Sequence, residues 1–254
     1  MATLIQRVAV QAYQTFGKRQ NLSAKQQNFA RLKDLMNRVT VKDVCFDESL
    51  VKDTSPYKQN HDVAPVTYIS VWADEWLTMG IFVLKNNTRL PLHDHPGMHG
   101  LVKVIHGSVT VRNFSRVEKN TLDEAACAEV AAVERRYARN VTLVREVHAG
   151  VTVDTSSDVV TLDPQYGNYH EIRATNGPAA FLDLLSPPYD NLPGSHPCSY
   201  YKAVPADVFN SSAEQGASPT PSFWYLLEMP TPHDYWSDSA TYCGPNIDPY
   251  ESTM

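Results

Sequence analysis

Two histidines, His93 and His95, stand at i and i+2 in Pro91-Leu-His-Asp-His-Pro-Gly-Met-His-Gly100, a stretch that reads as β-structure. Side chains on a strand alternate between faces, so this spacing puts both imidazoles on the same side. Two imidazoles on one face can grip one metal ion, and a third donor then has to come from elsewhere in the chain. His170, in Tyr166-Gly-Asn-Tyr-His-Glu171, is that candidate. A chain that brings a pair and a distant histidine onto one ion is expected to curl its sheet into a small β-barrel around the site.

The remaining texture agrees with a barrel. After Pro65 come short runs rich in Val, Ile, Tyr and Phe: Val66–Trp72, Gly80–Leu84, Leu101–His106 and Ser108–Phe114, with Gly107 reading as a turn between the last two. Further runs follow at Val141–Val147, Val151–Thr155, Val159–Leu162 and Ala179–Leu185, where Pro187-Pro188 stops the pattern, and Phe223–Met229 reads as a late strand. Many short strands separated by turn signals indicate a barrel or sandwich rather than alternating βα units. Ahead of them, Leu4, Ile5, Val8, Ala9, Ala12, Tyr13 and Phe16 follow helical spacing. A second helix is expected from about Ser23, as N-cap, with Phe29, Leu32, Met36 and Val39 on one face. Thr121 and Glu124 resemble a capping box at the start of an Ala/Glu-rich helix within 115–140. Residues 204–222, rich in Ser, Pro and Ala, read as a surface loop.

Neutral imidazole suits Fe(II), Zn, Cu and Ni. Three histidines with no carboxylate leave a divalent site formally +2, which favours a substrate that brings its own negative donor, such as a thiolate. Zinc on three histidines with a bound water is the other standard outcome and supports hydrolysis. His99 and His106 lie near the pair but read as non-ligands. His61, His148, His196 and His233 have no partner pattern and read as ordinary surface or hydrogen-bonded residues.

With 22 basic and 28 acidic side chains the chain has a net charge of −6, which argues against nucleic acid as the main partner. No apolar run approaches the roughly 20 residues needed to span a bilayer, so no membrane partner is expected. The four cysteines, Cys45, Cys127, Cys198 and Cys243, form neither a CxxC nor a dense framework, and a cytoplasmic location follows most simply. The first acidic residue is Asp34, and the basic amphipathic start before it also has the texture of a mitochondrial transit peptide. A helix with a basic polar face is the plainer reading.

The order HxH, Gly107, Gly-x-x-His resembles the two cupin motifs, with Gly100 where many cupins carry a ligand Glu. In the second motif the usual proline is displaced to Pro164, and Ala174 replaces the final Asn. More specifically, Pro91–Val104, the run Gly177-Pro-Ala-Ala-Phe-Leu-Asp-Leu-Leu-Ser-Pro-Pro-Tyr-Asp190, the opening Met1–Phe16 and the closing Trp224–Pro230 are similar to the cysteamine dioxygenase and plant cysteine oxidase family. The resemblance implies a mainly β cupin (double-stranded β-helix, jelly-roll) barrel with N-terminal helices. It covers residues 1–254 as a single cupin domain, helical over 1–40 and with its barrel core over 62–230. It makes the N-terminal segment part of the enzyme.

The same resemblance implies Fe(II) on His93, His95 and His170, with Asp183 as the acidic residue near the substrate and Tyr189 as the active-site tyrosine. The reaction it implies is oxidation of an aminothiol, cysteamine or the N-terminal cysteine of a peptide, by O2 to the sulfinic acid, in a monomer. Cys198-Ser-Tyr200 resembles a Cys-x-Tyr element, and other thiol dioxygenases carry a Cys–Tyr thioether near iron. Two other classes stay open at this stage: a zinc or nickel cupin acting as isomerase or hydrolase, and a non-catalytic cupin binding module.

Overall fold

The computed structural model describes residues 2–17, 21–59, 61–137, 141–189, 197–206 and 223–248. In chain order the elements are α1 (Leu4–Phe16), α2 (Leu22–Asn37), β1 (Val66–Ala73), β2 (Thr78–Leu84), β3 (Arg89–Asp94), β4 (His99–Arg116), α3 (Glu124–Tyr137), β5 (Val141–Asp154), β6 (Val160–Leu162), β7 (Tyr169–Ser186), β8 (Tyr200–Pro205), β9 (Trp224–Met229) and β10 (Ser237–Ser239). The strands form one sheet in the order β10-β1-β2-β7-β3-β8-β9-β5-β4-β6, and a further β4–β7 pairing closes it. Closure removes most free edges. The result is the expected mainly β cupin barrel with helices at its N-terminal end. No helix is long and apolar enough to cross a membrane among the described residues.

Two long strands, β4 and β7, form the spine. They pair antiparallel from His99↔Ser186 to Phe114↔Tyr169, with register shifts at His106. Gly107 is the reason β4 survives as a single strand. It sits at φ +67°, and a Cβ there would stand 2.3 Å from the Pro178 carbonyl oxygen. Only glycine fits this backbone and this approach. The expected turn is thus a bulge inside a continuous strand, because the long-range pairing with β7 holds both halves in line.

The alternation of side chains separates two packing layers. On one face of β4 and β7, Leu101, Leu182 and Leu184 join Ile69 and Ile81 to receive Ile5, Val8, Ala9 and Ala12 of α1 and Leu32 and Met36 of α2. Those helical residues are all 0% exposed. Burying each of the larger ones contributes about 1.5–3 kcal/mol. The amphipathicity of the N-terminal segment is therefore used in packing against the barrel. On the other face, Val102, Val104, Val109, Val111, Ile172, Ala174 and Phe181 fill the barrel interior.

Two helix starts differ from expectation. Asn21, not Ser23, caps α2, its side chain accepting from the Ala24 N–H. Asp123, not Thr121, caps α3 by accepting from the Ala126 N–H at 2.8 Å. Each carboxamide or carboxylate reaches the N3 amide from just outside the helix, which Ser23, already inside α2, cannot do. Thr121 instead closes a short 3-10 turn through Glu118. Of the loop expected over 204–222, Val204 and Pro205 end β8, and residues 207–222 lie outside the described residues, as do His196 and Asp190.

Candidate metal centre

His93 lies on β3, and His170 is its direct partner on β7. Cross-strand partners project to the same face, so pairing alone brings these two imidazoles together. His95 falls just beyond the end of β3, and a side-chain clamp places it. Asn168 accepts from the His95 N–H at 3.2 Å and donates to the His95 carbonyl at 2.7 Å and the Asp163 carbonyl at 3.0 Å. Asp94, between the two histidines, faces the other way. Its carboxylate accepts from the Ser199 N–H at 2.9 Å and from the Tyr201 hydroxyl at 2.8 Å, which staples β3 to β8. Neither Asn168 nor Asp94 was singled out by sequence. The only signal for Asp94 is its alternate position between two same-face histidines.

The three rings stand at 4.7 Å from one another, centroid to centroid, with interplanar angles of 62°, 69° and 81°. One ring nitrogen from each lies within 4.8 Å of the others. The Nε2 atoms of His95 and His170 are 3.1 Å apart. Two cis donors on an octahedral ion with bonds of about 2.1 Å would stand about 3 Å apart, so the spacing fits a shared metal. The residues are 8%, 2% and 3% exposed. Burial pushes His93 down to about 4, and burial together with neighbouring histidines lowers His95 and His170 well below the ordinary value. All three are then neutral at pH 7, with lone pairs free for a metal.

The outer nitrogens decide which lone pair faces inward. His93 donates through Nδ1 to the Pro91 carbonyl at 2.7 Å. The Tyr189 hydroxyl lies 2.5 Å from the Asp94 carbonyl and 2.7 Å from His95 Nδ1. A carbonyl can only accept, so the hydroxyl donates to Asp94 and His95 Nδ1–H donates to the hydroxyl. Both bonds leave Nε2 as the metal-facing atom. Tyr189→Phe keeps the ring and removes this lock. Metal affinity and turnover are expected to fall about 10–100-fold, as a metal titration and an activity assay would show; unchanged affinity would contradict the role.

Gly100 explains why no carboxylate joins the set. A Cβ at this position would stand 2.9 Å from Leu162 and 3.0 Å from Leu185, so a Glu has no room. His99 stacks on Phe16 of α1 at 5.7 Å and His106 on Phe46 at 6.4 Å, and neither belongs to the group. His61, His148 and His233 are exposed.

Asp183 pairs with Gly80 of β2 and Val102 of β4 and shares its face with Phe181, so it projects to the barrel interior rather than to solvent. It retains some solvent access, yet the dense protein around it raises its pKa to about 7. Burial raises Tyr189 and Tyr68, and the Asp183 charge adds to both, a sign of its proximity to them. Cys198 lies within hydrogen-bonding reach of Tyr189 and Tyr200, and burial pushes its thiol up to about 11. All four cysteines are free thiols. A cleft of about 830 Å³ is lined by Asp94, Tyr169 and Tyr201, which alternate away from the histidines, together with Asn168.

This arrangement is a neutral three-histidine centre within a cupin barrel. The PCO_ADO family profile matches residues 35–247. The chain belongs to this family. Among PCO_ADO relatives, the 2-aminoethanethiol dioxygenase of Mus musculus is 35% identical over 98% of each chain. That of Homo sapiens is 31% identical, again over 98% of each. Plant cysteine oxidase 1 of Arabidopsis thaliana is 26% identical, over 72% of this chain and 59% of the plant protein.

Proposed function

We propose that this protein is a non-haem iron thiol dioxygenase that converts an aminothiol, cysteamine or the N-terminal cysteine of a peptide, and O2 to the sulfinic acid. The observation that carries the reading is the buried, neutral three-histidine set with no room for a carboxylate. Such a set leaves the negative charge to the substrate, and a thiolate supplies it. Bound Fe(II) on His93, His95 and His170 would offer open positions and redox capacity to the thiol and to O2. The reaction R–SH + O2 → R–SO2H is balanced without a reductant, in keeping with a chain that has neither a GxGxxG nor a P-loop.

The surrounding residues do the rest. Tyr189, the Pro91 carbonyl and Asn168 hold the ligands in place. Asp183, once ionised, offers an acceptor for the substrate ammonium. Arg112 and Arg173 occupy the face opposite His170. Arg112 pairs with Glu146 and lies over the rings of Phe114 and Trp224, while Arg173 leans toward Glu171. Neither is placed to neutralise an α-carboxylate beside the thiol. Leaving that carboxylate buried and unpaired costs roughly several kcal/mol, so free cysteine is expected to be a poor substrate.

Aerobic incubation with cysteamine, a Cys-initiating peptide and free cysteine at equal concentration tests this, with products read by mass spectrometry. The expected result is a gain of two oxygen atoms, both from O2, on the first two thiols and little on the third. A resident zinc with no oxygen uptake would overturn the reading. Oxidation of free cysteine as efficient as that of the peptide would point back to Arg112 or Arg173.

A further inference from the structure

Along β4, Val109, Val111 and Asn113 take the interior-facing positions opposite Ala174, Ile172 and His170 of β7. The first two pairs are apolar and buried, as strand alternation demands. The third breaks the pattern. An asparagine, 1% exposed, stands directly across from a histidine of the metal group. Its Nδ2 donates to the Gly167 carbonyl at 3.4 Å, while its Oδ1 is buried without a hydrogen-bond partner. Buried carbonyl oxygens rarely go unpaired, and one beside a metal group calls for a donor.

His170 has the matching need. A histidine that gives Nε2 to a metal carries its proton on Nδ1, and that N–H requires an acceptor. His93 uses the Pro91 carbonyl and His95 uses Tyr189. Among the described residues, no acceptor bonds to His170 Nδ1. Direct cross-strand partners have Cβ atoms about 4.5–5.5 Å apart, close enough for an amide oxygen to reach an imidazole N–H.

We infer that Asn113 is the outer partner of His170, its Oδ1 accepting from Nδ1–H when a metal occupies Nε2. Asn113 is thus a positioning residue that fixes the tautomer and plane of the third ligand without touching the metal. Each ligand is then steadied from a different part of the fold: β3 for His93, the segment after β7 for His95, and β4 for His170. The inference rests on the triad as the metal site, and the experiment separates the two.

Zinc, being diamagnetic, is the probe, with histidine side chains labelled with 15N. The zinc-loaded protein should show three slowly exchanging imidazole N–H signals, one for each ligand. Asn113→Leu should show two, and its zinc affinity should be weaker by about 10–100-fold. Asn113→Asp, which keeps an acceptor oxygen in place, should restore the third signal and most of the affinity. A merely structural asparagine would lower thermal stability without changing the N–H count. Three signals and unaltered affinity in Asn113→Leu overturn the inference. If that variant does not fold, the wild-type spectrum decides, since only two slow signals there overturn it as well. A wild-type protein that binds no zinc defeats the triad reading itself.

Discussion

His170→Ala is expected to abolish metal binding and turnover together. Three buried neutral nitrogens converge here, no fourth donor joins the group among the described residues, and Leu162 and Leu185 close the space beside Gly100. Two imidazoles alone make a weak, poorly oriented site. Loss of an outer partner already costs about 10–100-fold, so loss of a ligand should exceed about 100-fold in affinity. Metal per chain, measured after gel filtration, should fall to background. His99→Ala is the informative control. His99 lies only four residues beyond His95 but stacks on Phe16, so its removal should loosen α1 and lower the melting temperature while metal and activity stay normal. Full metal occupancy in His170→Ala, or equal metal loss in His99→Ala, would mean that the ligand set is different.

The contrast between these two histidines shows what a sequence can carry. His93 and His170 were legible because a strand period and a motif are local signals, and α1 was legible from its 3.6-residue spacing. What could not be read depends on pairings across many residues. Gly107 looks like a turn to any local rule, and only β7 lying alongside keeps the strand running through it. His95 is set by an Asn168 clamp 73 residues away rather than by strand alternation. β8 and β10 were not anticipated as strands. They are short, and partners outside their own sequence define them. The orientation of Asp183 was undecidable for a related reason. Before Gly177 the interior-facing residues of β7 are the even ones, His170, Ile172 and Ala174. After it they are Ala179, Phe181 and Asp183. The irregular backbone at Gly177, φ +125°, resets the phase, and no periodicity rule predicts where that happens.

Because that reset turns Asp183 inward, Asp183→Asn is expected to leave metal content unchanged while lowering kcat/KM for an aminothiol. Losing one partner of a desolvated charge pair costs about 2–5 kcal/mol, on the order of 30-fold or more. The pH dependence gives the sign. Burial raises the carboxyl from 3.8 to about 7, so below neutrality it is protonated and cannot meet an ammonium as an anion. In the wild type, kcat/KM should therefore rise through pH 7, and in the variant this limb should vanish. Stability should move the opposite way. Between pH 3.8 and about 7 the folded state holds a proton that the unfolded chain has released, so the wild type loses stability as pH rises through this window. Asparagine has no such loss. The stability of the variant minus that of the wild type should grow with pH, and the histidines, common to both proteins, cancel from the difference. The substrate amine closes the argument. Acetylating the N-terminus of a Cys peptide should cost the wild type about as much as Asp183→Asn does, and should cost the variant little more, because both changes remove the same contact. Fully additive losses would place the ammonium elsewhere and leave Asp183 without this role.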